Sequence, residues 1–298
     1  MSKIAVSSIL VVALLAGCAS VPKSSAPVAH AEPVAAVVVS GPPANDNLNA
    51  VAWTQTSIEH ELIYREVYAN AGEKLLRALK DRNWDALPHA ERTNALKGLK
   101  PAVILDIDET VLDNSPYQAR LVRDGGDFNE FTWAQWCREK AAKPLPGALE
   151  FTRLAAKHGV TVFYLSNRAQ DLNDPTLENL REAGFPIAVN EQVFLGLGTV
   201  VDGCEQTGSE KGCRRTSIGR KHRVLIQVGD QIGDFVDVLA NTQDGRRKAI
   251  APYLPWIGER WFALPNPTYG SWEPALFNNE WSAPAQTRRR RKIDALRY

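Results

Sequence analysis

The stretch PAVILDIDETVLDNSPY, residues 101–117, runs an unbroken apolar segment into a crowd of acids. Ala102, Val103, Ile104 and Leu105 show no polar alternation, which suits a strand covered on both faces, as in a parallel sheet between helices. The run stops at Asp106 and Asp108, with Glu109 and Asp113 close behind. Two later segments repeat the pattern: VTVFYL (160–165) ends at Ser166, and VLIQV (224–228) ends at Gly229 and Asp230. Helical stretches at 148–157 and 176–183 lie before and after the second run, so the order reads βαβ. Ligands of such sheets bind beyond the carboxyl ends of the strands. All three runs therefore bring reactive residues to one edge.

Outward from these strands, the pattern over 56–80 is helical. Thr56 and Glu59 fit a capping box, and Leu62, Leu75, Leu76 and Leu79 contribute to an apolar stripe. A second helix is expected over 88–99. The interval from Asp106 to Ser166 is too long for one βα connection. An insertion at 116–146, carrying FTWAQW (131–136), is placed above the edge as part of a helical cap. The segment from 263 onward also lacks the βα rhythm and joins it. The expected fold is α/β: a Rossmann-like parallel sheet core with helices on both faces, plus a smaller helical cap. The domain is set at 47–298, its core at about 100–115 and 147–262 and its cap at about 47–99, 116–146 and 263–298.

Lys and Arg number 35 against 34 Asp and Glu, a net charge of +1. That balance gives no electrostatic basis for binding a nucleic-acid polymer. Lys3, the apolar run 4–15 and LAGC (15–18) read as an export signal over 1–17, the run being shorter than the ~20 residues of a spanning helix. LAGC resembles a bacterial lipobox, which implies lipidation of Cys18 and a membrane partner through that anchor. Ala19, rather than Asp, resembles the pattern sent to the outer membrane. Residues 18–46, rich in Ala, Pro, Val and Ser, read as a tether. Cys204 and Cys213 bracket a Gly-rich polar loop and are the pair that an oxidising periplasm could bridge, while Cys137 reads as a buried thiol. His30, His60, His89, His158 and His222 are scattered without ligand spacing, which argues against zinc.

An EF-hand loop opening at Asp106 would want Gly at its sixth position and Glu at its twelfth; the chain has Val111 and Tyr117. Acids that merely cap the next helix would explain one carboxylate, not Asp106, Asp108 and Asp230 together. Phosphoryl transfer uses them all. One carboxylate attacks phosphorus, a second moves the proton of the leaving alcohol and later of water, and a divalent cation offsets the gathered charge. A hydroxyl and a Lys hold the equatorial oxygens. Asp106, Asp108, Ser166, Asp230 and a nearby Lys supply each part.

DIDET, the strand ending in SNR, and GDQIGDF (229–235) resemble the signature set of the haloacid dehalogenase superfamily. More narrowly, the chain resembles the class C acid phosphatases, outer-membrane lipoproteins also described as acting on nucleotides. The likeness runs from AWTQTSIEHE (52–61) through PGALEF (146–151) to LPNPTYGSWE (264–273). It implies Asp106 as nucleophile and Asp108 as general acid and base. It implies Mg²⁺ held by Asp106, Asp230 and the backbone carbonyl of Asp108, with Asp234 in support, and Ser166 on the phosphoryl oxygens. Asp108 also argues against a dehalogenase, since displaced halide needs no proton. Lys211, followed three residues on by Arg214, fits the family pattern better than Lys221, which precedes its strand and falls on the opposite edge. Gln231 stands where the pattern has Asn.

Trp133, Trp136, Tyr269 and Trp272 are candidate aromatic walls, Trp133 and Tyr269 being carried forward as substrate-binding residues. Asp113 and Asn114 either support the site or cap the next segment. RRRRK (288–292) reads as a solvated helix face, with contact to anionic lipid headgroups as the sharper alternative. The expected function is Mg²⁺-dependent acid phosphatase action on small phosphomonoesters, nucleoside monophosphates among them. The only protein partner entertained is a second copy, in a homodimer. The rivals are a phosphotransferase of the same superfamily and a non-catalytic surface-binding lipoprotein.

Overall fold

The computed structural model describes residues 44–298, Thr207 excepted. The export signal, the lipidation expected at Cys18 and nearly all of the tether lie outside the described residues. In chain order, α1 (Leu48–Thr56) and α2 (Ile58–Lys80) lead to β1 (Lys100–Leu105) and β2 (Leu112–Asp113). The insertion forms α3 (Ser115–Asp124), α4 (Glu130–Glu139) and β3 (Lys143–Pro144). Then come α5 (Ala148–Lys157), β4 (Thr161–Leu165), α6 (Asn173–Glu182), β5 (Phe194–Leu195) and α7 (Gly212–Gly219). The chain closes with β6 (His222–Gly229), α8 (Gln243–Ile250), β7 (Trp261–Ala263) and α9 (Ala285–Asp294). No described helix is long and apolar enough to cross a membrane.

The three apolar runs become β1, β4 and β6, parallel neighbours in a five-stranded sheet of order β5-β4-β1-β6-β7. Every residue of β6 is buried, as is the run Ala102–Leu105 within β1, which explains the missing alternation. The chain winds from β1 outward to β4 and β5, then returns to β6 and β7 on the other side. Right-handed crossovers place α5 on one face and α7 on the other. That reversal makes the carboxyl end of β1 the switch point where ligands of such sheets bind. β5 and β7, only two and three residues long, carry no periodicity and were not expected from the sequence.

Three local expectations change. The break between α1 and α2 falls at Ser57, whose hydroxyl accepts the His60 N–H (3.2 Å), while Thr56 Oγ1 turns back to the Ala52 carbonyl (2.7 Å). The cap therefore lies one residue beyond the expected capping box. Leu75 is buried and Leu79 packs on the core, but Leu62 and Leu76 are exposed, because the buried stripe is completed by Tyr64, Tyr68 and Ala71 instead. Residues 88–99 form turns, not a helix. Tertiary ties hold this segment open: Arg92 pairs with Asp85 (2.7 Å) and donates to the Gly219 carbonyl, and Glu91 pairs with buried Arg215 (2.6 Å).

The sequence assigned 47–99 to the cap, yet α2 packs on β6, β7 and α5 as part of the layer covering the sheet. From there the hydroxyls of Tyr64 and Tyr68 donate to the carbonyls of Glu109 (2.6 Å) and Thr110 (2.7 Å), gripping the loop after β1. Gly147, at φ 83° just before α5, lies directly against Tyr68; a Cβ there would come within 2.8 Å of the tyrosine's own. Cys204 and Cys213 form a disulfide and Cys137 is a buried free thiol. On α9 each charge of 288–292 meets an acceptor: Arg288 the Trp281 carbonyl, Arg289 Asp46, Arg290 Asp294, Arg291 Glu280 and Lys292 Glu273. This internal pairing favours the solvated-face reading of that run.

Candidate active site

The parallel register aligns Leu105 with Tyr164 on one side and Val228 on the other, so Asp106, Ser166 and Asp230 leave their strands at one level. The Asp106 N–H still donates to the Val228 carbonyl (3.0 Å), which fixes the backbone at the point where the carboxylate begins. That carboxylate is buried and accepts from Lys211 Nζ. Lys211, also buried, reaches in from the residue before α7 and donates to Asp234 Oδ1 (2.7 Å) and the Leu165 carbonyl (2.8 Å). Lys221 begins the turn into β6 at the opposite edge.

Oxygens of Asp106, Asp230 and Asp234 lie within 4.8 Å of one another. Of the three, Asp106 and Asp234 pair with the single ammonium of Lys211, and Asp230 stands beside them without a cationic partner among the described residues. Burial pushes the Asp106 carboxyl well up against the opposing pull of Lys211, and the charges of Asp234, Asp230 and Asp108 add to the rise. Burial, then Asp234, pushes Asp230 up to about 7. Burial alone would lower Lys211, but Asp106 and Asp234 hold it above its ordinary value. A surplus of buried negative charge with all-oxygen donors fits a hard divalent cation of the Mg²⁺ or Ca²⁺ kind.

Asp108 faces the other way. Its Oδ1 accepts from Arg168 Nη2 (2.7 Å) and Nε (3.0 Å) and from Asn114 Nδ2 (2.9 Å), and its Oδ2 from Ser166 Oγ (3.1 Å). Asn114 is itself fixed by the Trp136 indole N–H (2.8 Å). Ser166, expected on the phosphoryl oxygens, here points its hydroxyl at Asp108 and accepts the Arg168 N–H (3.0 Å). Binding phosphate would require that hydroxyl to turn. The sequence reading assigns Arg168, the last residue of SNR, no role; its place two residues after Ser166, on the same strand end, is the signal that points to it. Asn114 contacts Asp108, while Asp113 accepts the Ser115 N–H (2.8 Å) at the start of α3.

Glu109, left without a role by the sequence, is buried at φ 56° and accepts the Asn114 N–H (2.7 Å) and the Tyr269 hydroxyl. Tyr269 therefore stands beside the loop that follows β1, tied by its hydroxyl. Trp133 is half-buried, packs on Tyr117 (5.2 Å between ring centres) and carries the Arg168 guanidinium 5.4 Å above its ring. Trp136 is buried, and Trp272 donates its N–H to the carbonyls of Asn266 and Tyr269 (both 3.2 Å).

A family model described as HAD superfamily, subfamily IIIB (Acid phosphatase), matches residues 39–272. The chain belongs to that subfamily. The class C acid phosphatase from Bacillus anthracis superposes with a TM-score of 0.71 at 31% identity, over 85% of this chain and 97% of that one. A second structure of that protein has tungstate bound. Among curated proteins, the stem 31 kDa glycoprotein of Glycine max is 29% identical over 56% of this chain. The class B acid phosphatase of Morganella morganii is 24% identical over 62%. The matched part spans 58% of the Glycine max protein and 78% of the Morganella morganii one.

Proposed function

We propose that this member of the acid phosphatase subfamily hydrolyses small phosphomonoesters, nucleoside 5′-monophosphates among them, by two in-line displacements through Asp106. The observation that carries the reading is the convergence of buried Asp106 with Lys211, Asp230 and Asp234 beside Asp108, all at the end of the central strand. Asp106, Asp230 and the Asp108 carbonyl would hold Mg²⁺, with Asp234 behind them. Bound there, the ion supplies positive charge against the phosphoryl oxygens and the attacking carboxylate.

In the first displacement an Asp106 carboxylate oxygen forms a bond to phosphorus as the ester P–O bond breaks. Asp108 gives its proton to the departing alkoxide, releasing the alcohol. In the second, Asp108 takes a proton from water, whose oxygen attacks phosphorus and breaks the acyl-phosphate bond, returning Asp106 and inorganic phosphate. The first displacement uses Asp108 in its protonated form. Lys211 steadies the equatorial oxygens and Ser166 joins it once its hydroxyl leaves Asp108. Anchored by lipid at Cys18, the enzyme would work at the outer membrane on exported or scavenged phosphates.

The test is phosphate release from p-nitrophenyl phosphate and from nucleoside monophosphates, with and without EDTA. Release that ignores EDTA would exclude the metal, and release unchanged in Asp106→Asn would exclude the nucleophile.

A further inference from the structure

The segment LPNPTYGSWE, 264–273, lies across the end of β6 and meets the site through more than Tyr269. Asn266 Nδ2 donates to Asp230 Oδ2 (2.8 Å), and Gln231 Nε2 donates to the same oxygen (2.9 Å). Two neutral amides therefore engage one oxygen of Asp230 and set the direction of the other. The carbonyl end of the same Asn266 side chain accepts the Thr268 N–H (3.0 Å), the Thr268 hydroxyl (2.7 Å) and the Tyr269 N–H (3.3 Å). One side chain thus holds a carboxylate of the acidic cluster with its amide and the turn that presents Tyr269 with its oxygen.

Gln231 makes a parallel link. Its Oε1 accepts the Ser271 N–H (3.2 Å) and its Nε2 also reaches the Tyr269 carbonyl (3.4 Å). Between those residues Gly270, at φ 145°, lets the backbone come so close that a Cβ would fall 2.2 Å from the Gln231 amide nitrogen. Turn and carboxylate are clasped together from both sides.

Resting on the metal-binding reading above, we propose that Asn266 is a positioning residue that couples the cation site to the turn carrying Tyr269. Asn266 orients Asp230 toward the ion, and a bound ion, by fixing Asp230, tightens the 265–272 turn over the substrate pocket. Partners of this kind behind a ligating carboxylate typically contribute 10–100-fold in metal affinity.

The experiment titrates Mg²⁺ by calorimetry, without substrate, into metal-stripped full-length protein, and follows amide hydrogen exchange of 264–273 with and without Mg²⁺. The expected result is an affinity about 10–100-fold weaker in Asn266→Ala, and Mg²⁺-dependent protection of 264–273 in the wild type that Asn266→Ala loses. Thr268→Ala, which removes a bond within the turn but none to Asp230, should keep its Mg²⁺ affinity within about twofold of wild type. An equal loss in Thr268→Ala would make the effect a matter of the turn's structure and overturn the proposal. Wild-type uptake of Mg²⁺ with unchanged affinity in Asn266→Ala overturns it alone, whereas a wild type that takes up no Mg²⁺ overturns the metal reading and the proposal together. Should Asn266→Ala fail to fold, wild-type exchange decides: protection that ignores Mg²⁺ overturns the coupling.

Discussion

Asp106 and Asp108 sit two residues apart on one loop and live in opposite surroundings. Around Asp106, one ammonium is shared with Asp234 while Asp230 adds a third carboxylate, so negative charge is in surplus, and burial pushes the Asp106 carboxyl up. Around Asp108, a guanidinium, an amide and a hydroxyl all donate, so every approach to its oxygens is defined. The first arrangement leaves a place that only added positive charge can settle. The second fixes the aim of the group that, in the proposed mechanism, hands a proton to one atom. The loop that carries both is gripped just beyond Asp108, where Tyr64 and Tyr68 of α2 hold the carbonyls of Glu109 and Thr110.

The largest effect expected is at Asp106. Asp106→Asn should lose about 10⁴-fold or more in kcat, in line with removal of a nucleophile elsewhere, and acid-quenched enzyme should trap no phosphorylated protein. Asp108→Asn should slow the first, phosphorylating displacement by about 10²–10⁴-fold on alkyl phosphates and far less on p-nitrophenyl phosphate, whose leaving group needs no proton, while breakdown of the phosphorylated enzyme slows alike for both. Equal losses in the single-turnover burst of the two substrates would erase the division between the two aspartates. The comparison extends to Lys211, which enters from the disulfide-closed loop. Replacing Cys204 and Cys213 by Ser should destabilise the fold by about 3 kcal/mol, read as a lower Tm.

The smallest effect concerns Cys137, beneath the Asp108 side of the site. Burial pushes its thiol up to about 12. At pH 8 it should resist iodoacetamide while native and react only after unfolding, with activity unaffected by the reagent. Above about pH 9 the unfolded chain ionises this thiol first, so its contribution to stability falls as pH rises. Rapid native alkylation would show that this flank is more open than the Asp106 flank.

What was legible in the sequence was whatever local pattern encodes. Unbroken apolar runs gave the three central strands, and the acids at their ends gave the edge. Short β5 and β7 exist because neighbouring strands offer them a ladder, which no local pattern records. The 88–99 segment has helical composition, yet Arg92 and Glu91 find partners far along the chain and hold it as turns. The same holds at the site. Lys211 was legible only through the family resemblance, whose pattern has a Lys followed three residues on by an Arg, here Arg214. The contact of Tyr269 with Glu109 spans 160 positions, and that of Asn266 with Asp230 spans 36. Arg168 lay in plain sight, but its partner is set only when β1 and β4 pair.

Gly147 shows how far the precision of the site reaches. It presses on Tyr68, and Tyr68 holds the carbonyl of Thr110, one step beyond Glu109. Any side chain at 147 would act as a wedge, displacing the tyrosine and slackening the loop that carries the two aspartates. In a screen scored by turnover, such a variant would pass for an active-site lesion although it touches no reacting atom.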